Sequence, residues 1–150
     1  MLFKLPPAMK CKNGMQKGPL ILYGDDTRGA LPRNPLLRTA RDIYAKKKIP
    51  LLRKTHVIFC SDRAIAKLNA MFRGKNHATD VLSFNYDDDD LLGEIYISRQ
   101  RARVQARRYK VTYDNEMLRL FIHGMFHLLG FDHETARDRR KMEAQESQYL

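Results

Sequence analysis

Three histidines within eleven residues, His123, His127 and His133, carry the densest chemistry in this sequence, in the segment HGMFHLLGFDH. A helix turns by about 100° per residue, so His123 and His127, four apart, share a face and aim two imidazoles at one point. Gly130 stands where such a helix would end, and a glycine there takes the left-handed conformation that reverses the chain. Phe131 and Asp132 then carry His133 back toward the same point. Three neutral imidazoles around one tetrahedral zinc ion leave the fourth position to water, which is the arrangement of a catalytic zinc site. One histidine on an apolar helix is usually a satisfied core residue. Three buried apart, with no common partner, would cost several kcal/mol, so a shared metal explains them better.

Such a segment needs a layer to pack against, and the rest of the chain supplies it. PLILYG (19–24) reads as a first strand. Residues 34–48 place Leu36, Leu37, Ala40, Ile43 and Tyr44 at helical spacing, with Asn34 suited to the N-cap and Pro35 to the first helical position. THVIFCSD (55–62) is a strand running into a turn. Ser61 or Asp62 then caps a helix through Ala64, Ile65, Leu68, Met71 and Phe72. RGKNHAT (73–79) is a polar loop, DVLSF (80–84) a strand, Asp87 to Asp90 an acidic connection and LLGEIYIS (91–98) the partner strand. Helical patterns follow at about 98–109, 114–129 and 134–149. This order predicts an α+β fold: a single domain with one mixed sheet of about four strands covered by about five helices. Residues 1–17 lack periodicity and are expected to form a flexible arm ahead of a domain spanning 18–150.

Composition narrows the function. At 150 residues the chain suits one domain with a real core, and no apolar run approaches the roughly 20 residues a membrane helix needs. The amino end is interrupted by prolines and lysines, so no signal peptide is expected and the cytosol is the default compartment. Cys11 and Cys60 show neither a disulfide framework nor metal-ligand spacing. The net charge of +11 favours a polyanionic partner, most often nucleic acid.

The spacing of the three histidines and the glycine also occurs in the metzincin proteases, H-E-x-x-H-x-x-G-x-x-H. Position 124 here is glycine where those enzymes carry the glutamate that serves as general base. The ligand cage survives that change; the proteolytic base does not.

Taken with its upstream text, the segment resembles the YbeY family of bacterial rRNA maturation factors. LNAMFRGKNHATDVLSF (68–84) is similar to that family's Leu-Asn, Tyr-Arg, Thr-Asp-Val-Leu-Ser-Phe stretch in order and spacing, and LLGEIYIS (91–98) to its Gly-Asp-Ile strand. Met142 and Glu146 fall where its closing helix has a Met and a Glu. The resemblance covers roughly 55–150. Glu94 replaces the usual Asp and Phe72 the common Tyr. The resemblance implies a zinc-dependent, single-strand-specific endoribonuclease acting in rRNA processing, including maturation of the 16S rRNA 3′ end. It implies zinc on His123, His127 and His133, Arg73 in the cleft against RNA, and single-stranded rRNA and ribosomal small-subunit proteins as partners. No membrane and no nucleotide cofactor is expected.

Other residues enter by their chemistry. Arg73 could grip a phosphate with two hydrogen bonds. Asp132 could orient His133 or simply form a turn. Glu94 could serve as a base if its strand faces the cleft, and His77 could help with protonation. Arg99, Arg103 and Arg107, four apart on one predicted helix, form a basic stripe suited to RNA phosphates, with Ala102, Val104 and Ala106 as the dry side. The competing functions are a ribosome-assembly or rRNA-binding factor with a structural zinc, and a metalloprotease lacking its usual glutamate.

Overall fold

The computed structural model describes residues 15–24, 30–86 and 88–150. Ten elements occur in the order β1 (Met15–Lys17), β2 (Leu20–Tyr23), α1 (Arg33–Lys46), β3 (Lys54–Cys60), α2 (Asp62–Arg73), β4 (Val81–Asn85), β5 (Leu91–Ser98), α3 (Arg99–Tyr109), α4 (Tyr113–Leu128) and α5 (Ala136–Glu146). The strands form one mixed sheet in the order β1-β2-β3-β5-β4. β2, β3 and β5 run parallel, while β1 and β4 are antiparallel edges. The expected α+β architecture with five helices is present. A fifth strand, β1, comes from the end of the expected amino-terminal arm; residues 1–14 of that arm, and Asp87, lie outside the described residues.

Alternation along the strands divides the core in two. Leu20, Leu22, Val57, Ile95 and Ile97 pack with α1 and α4, whereas Ile58, Leu82 and Tyr96 pack with Ile65 and Leu68 of α2. β5 is buried over seven of its eight residues because helices cover both its faces. That explains its continuous apolar text.

α4 is the element that carries the site. Thr112 caps it, its hydroxyl accepting from the Asn115 amide at 3.1 Å. Its face bearing Met117, Phe121 and Met125 is fully buried, each such side chain contributing about 1.5–3 kcal/mol. Two glycines let it approach the sheet. A Cβ on Gly93 would lie 2.5 Å from both Leu128 Cδ2 and the Phe84 carbonyl oxygen, and one on Gly124 would lie 2.7 Å from Ile95 Cγ2. The contact fixes the helix's rotation and leaves Arg119, His123 and His127 on the outer side, each only partly buried.

Helix starts differ in detail from the sequence expectation. α1 begins two residues early, with Pro32 rather than Asn34 at the cap and no side-chain capping bond. Pro35 remains tolerable because it falls within the first turn, where an amide hydrogen has no helical partner. Ser61 does cap α2, accepting from Ala64 at 3.2 Å. No helix among the described residues is long and apolar enough to cross a membrane.

Candidate metal centre

Helix α4 ends as its glycine dictates. Gly130 adopts φ +90°, and the Phe131 amide closes back on the Phe126 carbonyl at 3.0 Å. Open space surrounds the position a Cβ would take, so the conformation, not crowding, calls for glycine. Phe131 then packs edge-on against Phe126 at 5.4 Å, and the next two residues return His133 to the helix face.

The three imidazoles converge. His123 Nε2 and His127 Nε2 are 3.1 Å apart, and ring centroids are separated by 4.6 Å (123–127), 5.0 Å (127–133) and 5.7 Å (123–133). One nitrogen from each ring lies within 4.8 Å of the others, so the set could hold a metal ion. Ligands about 2.0–2.1 Å from a tetrahedral zinc stand roughly 3.3 Å from one another, a spacing the first pair already approaches. The donor chemistry fits as well. Burial, and then the neighbouring His123 and His133, holds the His127 pKa below the ordinary imidazole value, which favours the neutral, ligating form.

Glu146 completes the cage from α5. His123 Nδ1 lies 2.7 Å from Glu146 Oε1. An ionised carboxylate only accepts, so Nδ1 carries the proton and Nε2 keeps its lone pair for the ion. Sequence reasoning gave Glu146 no role, although the resemblance noted a family glutamate at that place. Glu146→Gln is expected to weaken zinc binding by about 10- to 100-fold, because the amide supports the Nδ1–H poorly. Competition with a chromophoric chelator measures this; an unchanged affinity would show the pair to be incidental.

Two hollows meet at the cage. One, of about 510 Å³, is walled by Arg73, His127, Phe131, Asp132, His133 and Glu134. The other, of about 300 Å³, is walled by Arg119, His123, His133, Arg139, Glu143 and Glu146. Arg73, the last residue of α2 before left-handed Gly74, is thus brought beside His127 and His133. Asp132 is also there, but its Oδ1 accepts the His133 backbone amide at 2.7 Å, the bond of a turn-forming aspartate.

Other sequence candidates fall elsewhere. Glu94 sits on the sheet face opposite α4, since Gly93 and Ile95 face that helix. There its Oε2 accepts from the Tyr96 hydroxyl at 2.9 Å and the Tyr86 hydroxyl at 3.3 Å. Burial, and then the carboxylate's charge, pushes the Tyr86 phenol up to about 12, so it remains a donor. Glu94 is therefore no base for the cage. His77 is exposed in the loop after α2, its Nδ1 3.1 Å from the Ala78 carbonyl, and lines neither hollow. The three arginines expected to form a basic stripe on α3 do not share one exposed face. Arg99 is only 7% exposed and shares the buried side with Ala102 and Ala106, while Val104 is 59% exposed. Arg103 lies over the Tyr113 ring at 5.4 Å, and Arg107 alone of the three is fully at the surface.

A family model described as Endoribonuclease YbeY matches residues 31–150. A protein of that name from Thermodesulfovibrio yellowstonii is 41% identical over 105 residues, covering 64% of this chain and 66% of the relative. One from Myxococcus xanthus is 46% identical over 96 residues, covering 59% of this chain but 33% of the relative. Against these two the chain spans less than two thirds of the relative's length. A third, from Amoebophilus asiaticus, is 32% identical over 140 residues, 91% of this chain and 94% of the relative. A Thermotoga maritima protein solved in solution superposes with a TM-score of 0.60 at 30% identity, covering 87% of this chain and 85% of that one. With the model spanning most of the sequence and one relative matched over nearly its full length, this chain belongs to the YbeY endoribonuclease family.

Proposed function

We propose that the chain is a zinc-dependent endoribonuclease that cuts single-stranded rRNA during ribosome biogenesis, including 16S rRNA 3′-end maturation. The observation that carries this reading is the convergence of His123, His127 and His133 at the junction of two hollows, with Arg73 in one of them. Family membership supplies the reaction class, and the net charge of +11 suits a polyanionic substrate. A cytoplasmic location with small-subunit ribosomal proteins as neighbours follows from rRNA as substrate.

Zinc held by the three histidines would supply Lewis acidity toward a phosphoryl oxygen and lower the pKa of water. The chain's own residues do the rest. Glu146 keeps the His123 proton on Nδ1. Arg73, exposed at the end of α2 beside the cage, presents a planar guanidinium that binds a phosphate through two hydrogen bonds and offsets charge gathering on its oxygens. Phe131, packed edge-on against Phe126, lines the hollow beside Arg73.

Arg73→Ala is expected to lower kcat/KM for single-stranded RNA by about 10²-fold while leaving zinc content and melting temperature unchanged. Arg73→Lys restores part of it, since an ammonium keeps the charge but not the fork. Cleavage of labelled rRNA fragments by zinc-loaded protein tests both. Wild type that retains zinc yet leaves every single-stranded fragment intact would overturn the nuclease reading.

A further inference from the structure

Arg119 walls two cavities at once. On one side it faces the cage hollow that holds His123 and Arg139. On the other it closes a separate, mostly apolar hollow of about 500 Å³ formed with Tyr109, Val111, Leu118, Leu150 and Asn115. Tyr109 is 52% exposed, Val111 43% and Leu150 67%, so three large apolar side chains meet water in one place. Arg119 and its ion-pair partner Glu116 are the charged residues that line the hollow, and Arg107, Arg108 and Lys110, which adjoin Tyr109 in the chain, are exposed. A mostly apolar, aromatic-walled hollow close in the chain to exposed cations suits a ligand that is flat and apolar in one part and anionic in another. A nucleotide is such a ligand.

The walls suit a base. Tyr109 offers an aromatic face at the end of α3. The Arg119 guanidinium stands 5.9 Å from that ring's centroid and is pinned by Glu116, with Nη2 to Oε1 at 2.6 Å. Its charge is thus already balanced, and it serves as a planar wall. Among the described residues the Asn115 side chain makes no hydrogen bond, leaving its NH2 donors and its carbonyl oxygen for a base edge. Asn115 precedes His123 by two turns of α4, about 12 Å along the axis. A strand covers that distance in about three to four nucleotides at a rise of ~3.4 Å each.

We propose that this hollow is a nucleobase subsite, in which an unpaired base of the RNA strand crossing the histidine cage stacks on Tyr109. The inference rests on the RNA-cutting reading above and adds a source of single-strand preference. A base must leave its stack and its partner to enter, which a duplex resists.

The test uses full-length, zinc-loaded protein and a single-stranded oligoribonucleotide carrying 2-aminopurine at successive positions, read by stopped-flow before cutting. Wild type quenches the probe at one position, because stacking on tyrosine quenches it. Tyr109→Ala abolishes that quench and weakens single-strand affinity roughly tenfold, while duplex affinity stays unchanged. Tyr109→Phe keeps both the quench and the affinity. The subsite is overturned if Tyr109→Ala binds and quenches like wild type, if single-strand and duplex affinity fall together, or if Tyr109→Phe fails as the alanine does. A wild-type protein that binds no single-stranded RNA overturns it too, without recourse to any variant. Cleavage followed in parallel keeps the two readings apart. Tyr109-dependent quenching without any cutting supports the subsite and removes the nuclease reading; cutting with no Tyr109 dependence does the reverse.

Discussion

His127→Ala is expected to weaken zinc binding by about 10²- to 10³-fold and to remove RNA cutting at any zinc concentration that leaves the site empty. The magnitude follows from sharing a binding free energy of about 10–16 kcal/mol among four ligands, or about 3 kcal/mol each. His127 is the natural choice because it is the ring nearest both neighbours, at 4.6 Å from His123 and 5.0 Å from His133. The fold should tolerate the change. His127 lies on the outer side of α4, half-buried, and its removal relieves a desolvated imidazole. Melting temperature is expected to shift by only a few degrees for a loss of about 1 kcal/mol in a chain of this size. The same measurements separate a catalytic metal from a structural one. Chelation of wild type should stop cutting while circular dichroism stays native, whereas a structural zinc would unfold the chain on chelation. A His127→Ala protein that keeps stoichiometric zinc and cuts at the wild-type rate would sink the cage.

Much of this centre is legible before any coordinates, because its information is local. The 0, 4 and 10 spacing of the histidines converts directly into one helix face, and Gly130 into the reversal that returns His133. What stays hidden depends on parity or on distant packing. Glu94 lies in LLGEIYIS, a strand covered on both faces, so no alternation of apolar and polar residues tells which way the carboxylate points. A register shift against β3 near Lys54 and Thr55 resets the count again. Arg99 reads as solvent-facing because the dry side of RQRARVQARRYK is marked only by Ala102, Ala106 and Val104, and Val104 turns out to be exposed. In the fold its position on the first turn of α3 is covered, and a long arginine stem fills space that an alanine would leave. Glu146 is invisible for another reason. It reaches His123 across 23 residues, through the docking of α5 on α4, and nothing in the local text of either helix encodes that contact. Thr135 starting α5, with the Asp138 amide donating to its hydroxyl at 3.1 Å, is the one local signal that helps set the helix's entry.

Position 124 is where the shared spacing with metzincin proteases meets the physics of this fold, and it supports the second large prediction. Gly124→Glu, which would recreate the H-E-x-x-H pattern, is expected to abolish cooperative folding rather than confer peptide hydrolysis. The Cβ of residue 124 points at the sheet: it would stand 2.7 Å from Ile95 Cγ2, 3.1 Å from Ser83 Oγ and 3.2 Å from Ile95 Cδ1. The Gly124 carbonyl, moreover, accepts from that same Ser83 hydroxyl at 3.3 Å, so the strand cannot simply retreat without breaking a bond. Overpacking of this kind costs about 1–3 kcal/mol. A carboxylate forced against Ile95 on the buried side of α4 adds several kcal/mol more unless a cation pairs with it. The sum approaches the whole stability of a domain this size, about 5–15 kcal/mol. Gly124→Ala isolates the steric part and should cost about 2 kcal/mol, with the histidine cage and zinc affinity nearly intact. Urea denaturation of the two variants beside wild type measures both effects, and casein digestion checks for proteolysis. A Gly124→Glu protein that unfolds at the wild-type urea midpoint would mean that α4 can rotate on the sheet. The outward aim of His123 and His127 would then no longer be fixed by the glycine contact, and the cage would need another cause.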